Sequence, residues 1–158
     1  MNIRDLLKLK DFKHRTVVTV EPNEVITAAI QKLVEHDRGS LPVCNDKGKL
    51  VGIITERDIV RKCFASSCAF ANIKIRDIMT EQVAIGTPED DLDYAINIMK
   101  QKRVRHLPIV DDQKVVGMIS MRDLLGKQYE ETKAEIKYAN LLPRRTHFGG
   151  SRQVYSLH

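Results

Sequence analysis

The chain of 158 residues has no tryptophan, and only four phenylalanines and four tyrosines. Stacking on rings is therefore not the expected way for it to hold a flat ligand. Its three cysteines, Cys44, Cys63 and Cys68, form an odd set without a paired framework, which argues against a disulfide scaffold. Cys44 sits in an apolar strand pattern and reads as a small core residue. Cys63 and Cys68 have no matching pair elsewhere, so no metal site is expected. No run approaches the roughly 18 consecutive apolar residues of a membrane span. The opening Met1-Asn2-Ile3-Arg4-Asp5-Leu6-Leu7 carries an acid and lacks a secretory-type apolar core, so a cytoplasmic location is expected. A Walker-type loop is absent, as is any nucleophile–base–orienter set. His14, His36, His106, His147 and His158 show no partner spacing. No catalytic residue is assigned and an enzyme is not expected. Cys63 beside Arg61 and Lys62 is the candidate for redox chemistry.

What is present is ordinary in amount: 42% hydrophobic and 30% charged residues, as in soluble globular proteins. The length fits one compact domain or two small ones packed together. The net charge of +5 is uneven, because Arg144, Arg145 and Arg152 lie in a tail without acids. The body is close to neutral, so neither a strongly basic binding face nor a nucleic-acid partner is expected.

The informative feature is duplication. Pro22 and Pro88 are 66 positions apart, as are Pro42 and Pro108, while Gly52 and Gly117 are 65 apart. Ser40-Leu41-Pro42-Val43 matches His106-Leu107-Pro108-Ile109, and Gly52-Ile53-Ile54-Thr55-Glu56-Arg57-Asp58 matches Gly117-Met118-Ile119-Ser120-Met121-Arg122-Asp123. Two copies of one module that bury their faces against each other are implied.

Each copy reads strand, helix, strand, strand, helix. Thr16–Val20 is β-rich, and Val25 through Val34 recur at helical spacing. Leu41–Cys44 and Leu50–Ile54 flank a turn at Asn45–Lys49, where Gly48 is free to take positive φ. The second copy repeats the order with Val83–Ile85, a helix marked by Leu92 to Met99, and strands Leu107–Val110 and Val115–Ile119. A lead-in repeats too, Ile3-Arg4-Asp5-Leu6-Leu7 against Ile75-Arg76-Asp77-Ile78-Met79; its spacing of 72 implies a loop about six residues longer in the first copy. These readings predict copy one over 1–64, a linker over 65–74, copy two over 75–128, a C-terminal helix over 129–142 and a flexible basic tail over 143–158.

The chemistry concentrates where the last strand of each copy ends and a helix begins. Free backbone N–H groups and the positive end of the helix dipole face outward there. The Thr55 or Ser120 hydroxyl can donate to a phosphate or sugar oxygen. One turn on, Asp58 or Asp123 can accept two hydrogen bonds side by side, which suits the vicinal hydroxyls of a ribose. The same spacing also fits a capping box with Asp in place of Glu, and the two readings can coexist. Gly52 and Gly117 would let another backbone come close.

These residues resemble a tandem pair of cystathionine-β-synthase-type (CBS) domains, the regulatory Bateman module. The resemblance covers roughly Ile3 to Lys127 and rests on Thr55-Glu56-Arg57-Asp58 after Gly52, on Arg103-Val104-Arg105-His106-Leu107-Pro108-Ile109-Val110, and on Ile75-Arg76-Asp77-Ile78-Met79-Thr80. It looks closest to short stand-alone pairs without an attached enzyme or channel. It implies an α+β fold, a duplicated βαββα unit with pseudo-twofold symmetry. Two clefts would lie between the copies and take AMP, ADP, ATP, NAD(H) or S-adenosylmethionine as a regulatory ligand, with no catalytic cofactor. By the same resemblance Asp58 and Asp123 would hold ribose. Thr55, Ser120, Arg57, Arg122, Arg103, Arg105, His106 and Ser40 would face phosphates and hydroxyls. Adenine would lie against Val18, Val20, Val83, Ile85, Pro42 and Pro108. A homodimer and a separate regulated protein are the expected partners. The competing reading is a scaffold that keeps the fold and binds no nucleotide.

Overall fold

Two β-hairpins of almost identical register carry the duplication into three dimensions. The computed structural model describes residues 1–65 and 72–141. Cys68, the Cys63 side chain, most of the expected linker and the basic tail lie outside the described residues. In the first hairpin β1 (Ser40–Cys44) pairs antiparallel with β2 (Leu50–Thr55), setting Leu41 opposite Ile54, Pro42 opposite Ile53 and Val43 opposite Gly52. In the second, β3 (His106–Asp111) pairs with β4 (Lys114–Ser120), setting Leu107 opposite Ile119, Pro108 opposite Met118 and Ile109 opposite Gly117. Both ladders slip by a bulge just after the glycine pair. The one-residue difference in repeat length falls in the turns. The first hairpin closes through Asn45, whose side chain accepts from the N–H groups of Lys47 and Lys49, with Gly48 at φ +76°. The second closes on Asp112 and Gln113, both at positive φ, in a tighter turn.

The expected first strand of each copy shrinks to one contact. Val20 forms an isolated parallel bridge to Val43, donating to Pro42 and accepting from Cys44; Gly86 does the same against Ile109. Extending either ladder by one step would require an N–H from Pro42 or Pro108, and proline has none. The conspicuous repeated prolines therefore cut the third strand short, and each sheet has two strands.

The helices α3 (Ile26–Glu35) and α5 (Leu92–Lys102) bury matching stripes, Ile26, Ala29 and Leu33 in one and Leu92, Ala95 and Met99 in the other. Preceding them are α1 (Ile3–Lys8) and the short α2 (Lys10–Lys13), the latter inside the longer loop of the first copy. After the hairpins come α4 (Glu56–Ala65) and α6 (Met121–Leu141). The C-terminal helix expected over 129–142 is the distal stretch of α6, which belongs to a second unit running from Leu125.

The lead-ins are exchanged between the copies. Ile3 and Leu6 are fully buried in the core of the second copy, with Leu92, Met99, Leu107, Ile109 and Ile119. The second lead-in forms a 3₁₀ turn at Ile75–Asp77 and inserts Ile75 into the first core, with Val20, Ile26, Leu41, Val43 and Ile54. The backbone anchors match. Ile3 and Arg4 donate to Asp90 and Pro88, just as Ile75 and Arg76 donate to Glu24 and Pro22. Chain order assigns residues 1–8 to the first copy, whereas packing assigns them to the second.

Close backbone approach occurs at Gly52 and not at Gly117. Ile53 and Thr80 exchange both backbone hydrogen bonds at 2.9 Å beside Gly52, while Gly117 meets the Leu7 side chain. A Cβ on Gly52 would lie 2.6 Å from Met79 Sδ and 3.1 Å from the Thr80 carbonyl oxygen, which is backbone and cannot swing aside. Gly52→Val should therefore lower the unfolding free energy by about 2–3 kcal/mol in urea titrations. Gly126→Ala, which places a methyl in open space on α6, should leave stability equal or slightly raised.

Candidate functional site

Each hairpin delivers its return strand directly into a helix, and the junction is closed by the same three hydrogen bonds in both copies. The Thr55 N–H and hydroxyl both donate to Asp58 Oδ2, at 2.9 and 2.7 Å, and the Asp58 N–H donates back to Thr55 Oγ1 at 3.1 Å. The Ser120 N–H and hydroxyl donate to Asp123 Oδ2 at 2.9 and 2.6 Å, and the Asp123 N–H returns to Ser120 Oγ at 3.2 Å. The capping pattern is thus formed in both copies and uses one carboxylate oxygen of each aspartate. At Asp123 the other oxygen, Oδ1, accepts from Arg15 Nη1 at 3.1 Å. Both aspartates are half-buried, and both line a single cleft of about 1010 Å³. Where the resemblance implies two clefts, one opening is shared by residues of both copies. A small pocket of about 30 Å³ lies beside it.

The cleft gathers all ten of the predicted polar residues. Thr55, Asp58, Ser120 and Asp123 line it, together with Arg57, Arg122, Arg103, Arg105, His106 and Ser40. The adenine candidates scatter. Val83 lines the cleft, whereas Val18 and Pro42 line the small pocket. Val20 is fully buried behind its bridge to β1, Pro108 is buried in β3, and Ile85 is 45% exposed; none of these three reaches either wall. The resemblance placed Val20 and Ile85 beside Val18 and Val83, on the expectation of a full first strand in each copy. With only one bridge per copy, that strand does not form and the four residues do not share one wall.

Several lining residues carried no sequence signal. Arg15 belongs to the inserted loop, which has no counterpart in the second copy. Arg38 and Arg61 belong to no repeated motif. Thr80 reaches the cleft because the exchanged lead-in pairs with β2. With these the wall carries seven arginines against four carboxylates, so the cleft is cationic although the body of the chain is nearly neutral. That concentration corrects the expectation that no strongly basic face would form, and it favours an anionic occupant.

The α3 and α5 ends show how the copies diverge. Both helices stop at a left-handed residue, Asp37 at φ 50° and Arg103 at φ 53°. The same backbone corner thus presents an acid in one copy and a base in the other. Two residues on, Gly39 stands where the second copy has Arg105, and a Cβ on Gly39 would meet the His106 ring at 3.1 Å. His106 occupies that space. Burial, then the Arg105 charge, pushes its pKa below the ordinary histidine value, against the opposing pull of Asp123 and Glu56. Its counterpart Ser40 is 3% exposed, and its Oγ has no hydrogen-bond partner among the described residues. No cluster of His, Cys, Asp or Glu suited to a metal occurs among the described residues.

A model of the CBS domain matches residues 9–65 and 75–130. The chain is 37% identical over 112 residues to the uncharacterized protein MK0525 of Methanopyrus kandleri, covering 70% of this chain and 57% of that one. It is 30% identical over 139 residues to the CBS domain-containing protein YhcV of Bacillus subtilis, covering 88% of this chain and 98% of that one. Among solved structures it is similar to the CBS domain pair of protein MJ0100 in complex with 5-methylthioadenosine and S-adenosyl-L-methionine. The TM-score is 0.68 at 29% identity, over 84% of this chain and 98% of that one.

The lowered pKa of His106 sets a pH dependence. Protons bind the unfolded chain more readily than the fold, so the stability contributed by the neutral ring is complete above pH about 6.5. It falls as the pH drops through that value toward the lower folded one. Urea titrations at about pH 7.5 and about pH 5.5 should show the wild type losing more stability than His106→Gln. Equal losses would contradict a lowered pKa for the half-buried His106 ring.

Proposed function

The chain belongs to the CBS-domain family, and from that premise we propose that it is a regulatory sensor of adenosine-containing ligands. The observation that carries this reading is the pair of helix starts, each holding a hydroxyl and a carboxylate at one shared cationic cleft. The ribose hydroxyls of an adenylate bind Asp58 or Asp123 through the oxygen that the cap does not use. The phosphates face the arginines around them, with Arg103 and Arg105 supplying cations, and the neutral His106 ring an N–H donor, that the first copy lacks at Asp37, Gly39 and Ser40. The similar MJ0100 pair, solved with 5-methylthioadenosine and S-adenosyl-L-methionine, supports the ligand class. AMP, ADP, ATP and NAD(H) carry the anionic groups that this wall favours. Because both copies line one cleft, occupancy alters how the copies sit against each other, and a partner that prefers one arrangement reads the change. Exposed Val34, Val60 and Phe64 on α3 and α4 support a homodimer formed through helices. The regulated partner is a separate protein in the cytoplasm, and the chain itself performs no catalysis.

The closed capping boxes favour a second reading, in which the aspartates serve only the fold and the chain is a scaffold. A thermal-shift series with AMP, ADP, ATP, NADH and S-adenosylmethionine separates the two. Stabilisation by at least one ligand at millimolar concentration is expected, and none would favour the scaffold.

Asparagine keeps an acceptor for the cap while replacing the free carboxylate oxygen with an amide. Asp58→Asn and Asp123→Asn should each weaken AMP binding at their own half of the cleft by about tenfold in calorimetry, with little change in melting temperature. Unchanged affinity in both variants would remove the ribose assignment.

A further inference from the structure

The two helix starts are alike in their caps and unlike in their remaining oxygen. Asp58 makes its cap contacts through Oδ2, and no side chain among the described residues holds its Oδ1. At Asp123 that position is taken by Arg15, whose Nη1 lies 3.1 Å from Oδ1. The Arg15 guanidinium also lies over the Phe12 ring, 4.4 Å from its centroid. The contact is sheltered on the acid's side, with Asp123 13% exposed and Arg15 36%. Arg15 sits at the junction of the two openings, since it lines both the main cleft and the small pocket of Val18, Pro42 and Met118.

A ribose that brings both vicinal hydroxyls to Asp123 Oδ1 fills both lone pairs of that oxygen, so the guanidinium must leave it. The cost of that departure depends on what the ligand carries at its 5′ position. A 5′-phosphate offers the released guanidinium a new anion, which arginine can bind through two N–H groups. An uncharged or cationic 5′ group leaves the guanidinium without a partner beside the carboxylate it has lost. We infer that Arg15 is a specificity-determining residue: by exchanging its ion pair from Asp123 to the ligand, it makes the Asp123 half of the cleft select 5′-phosphorylated adenosines. The Asp58 half, without such a guard, takes phosphorylated and uncharged adenosines with less discrimination. The inference rests on the adenylate reading above and adds to it a reason for the two halves to differ.

The test compares AMP with adenosine by calorimetry in the Asp58→Asn protein, where the Asp123 half alone retains its carboxylate. Adding Arg15→Gln should tighten adenosine binding by about threefold, because its competitor is gone, while AMP binding stays level or weakens. The preference for AMP over adenosine should thus fall by at least about threefold. Arg103, Arg105 and His106 remain and would keep part of the preference, so the change in the ratio is the readout. An equal shift for both ligands, or no shift, would overturn the role of Arg15 while leaving the adenylate reading in place. If the unsubstituted protein binds neither compound, this inference falls, while the thermal-shift series with the other ligands decides the adenylate reading separately.

Discussion

Neither core of this molecule is complete without a segment that chain order assigns to the other copy. Ile75 fills the first core and Ile3 with Leu6 fills the second, each at or near zero exposure. Burying a side chain of that size is worth about 1.5–3 kcal/mol, a large fraction of the stability of a small domain. The exchange therefore ties the copies together by the same force that folds each of them. It also sets the geometry of the cleft. The returning lead-in pairs Thr80 with Ile53, and the loop behind α1 brings Arg15 across to Asp123. The site between the copies is a by-product of how the cores are closed.

The prolines supply the complementary constraint. Pro42 and Pro108 stand in the middle of β1 and β3, where an amide would be needed to lengthen the parallel ladder to the segments ending at Val20 and Gly86. A full third strand would align residues 16–20 and 83–86 tightly against the sheets. With a single bridge, Val18 and Val83 stay half-buried at the two openings.

Much of this was legible in the residues because duplication supplies its own control. A feature present at both Thr55–Asp58 and Ser120–Asp123 is hard to dismiss as accident, and the hairpin registers follow from the Leu-Pro and Gly landmarks. What escaped is what occurs once. Arg15 has no twin, and its contact with Asp123 spans 108 positions, a separation that no local pattern encodes. The lead-in repeat was visible, but its exchange was not, since a repeated segment does not say which core receives Ile3 and which Ile75. The short first strands misled because β-propensity describes a segment, whereas the missing amide that ends the ladder lies on its partner more than twenty positions away.

The capping boxes have a consequence for how such a site is maintained. At each helix start the side chain that faces the opening also ties down the first turn through one oxygen, so replacing it by a residue without an acceptor there disturbs folding before any ligand is involved. The requirement to fold thus holds an acceptor at both positions whether or not a small molecule is bound there. The corner that lines the cleft is therefore also an architectural joint, and its shape is set by the fold itself.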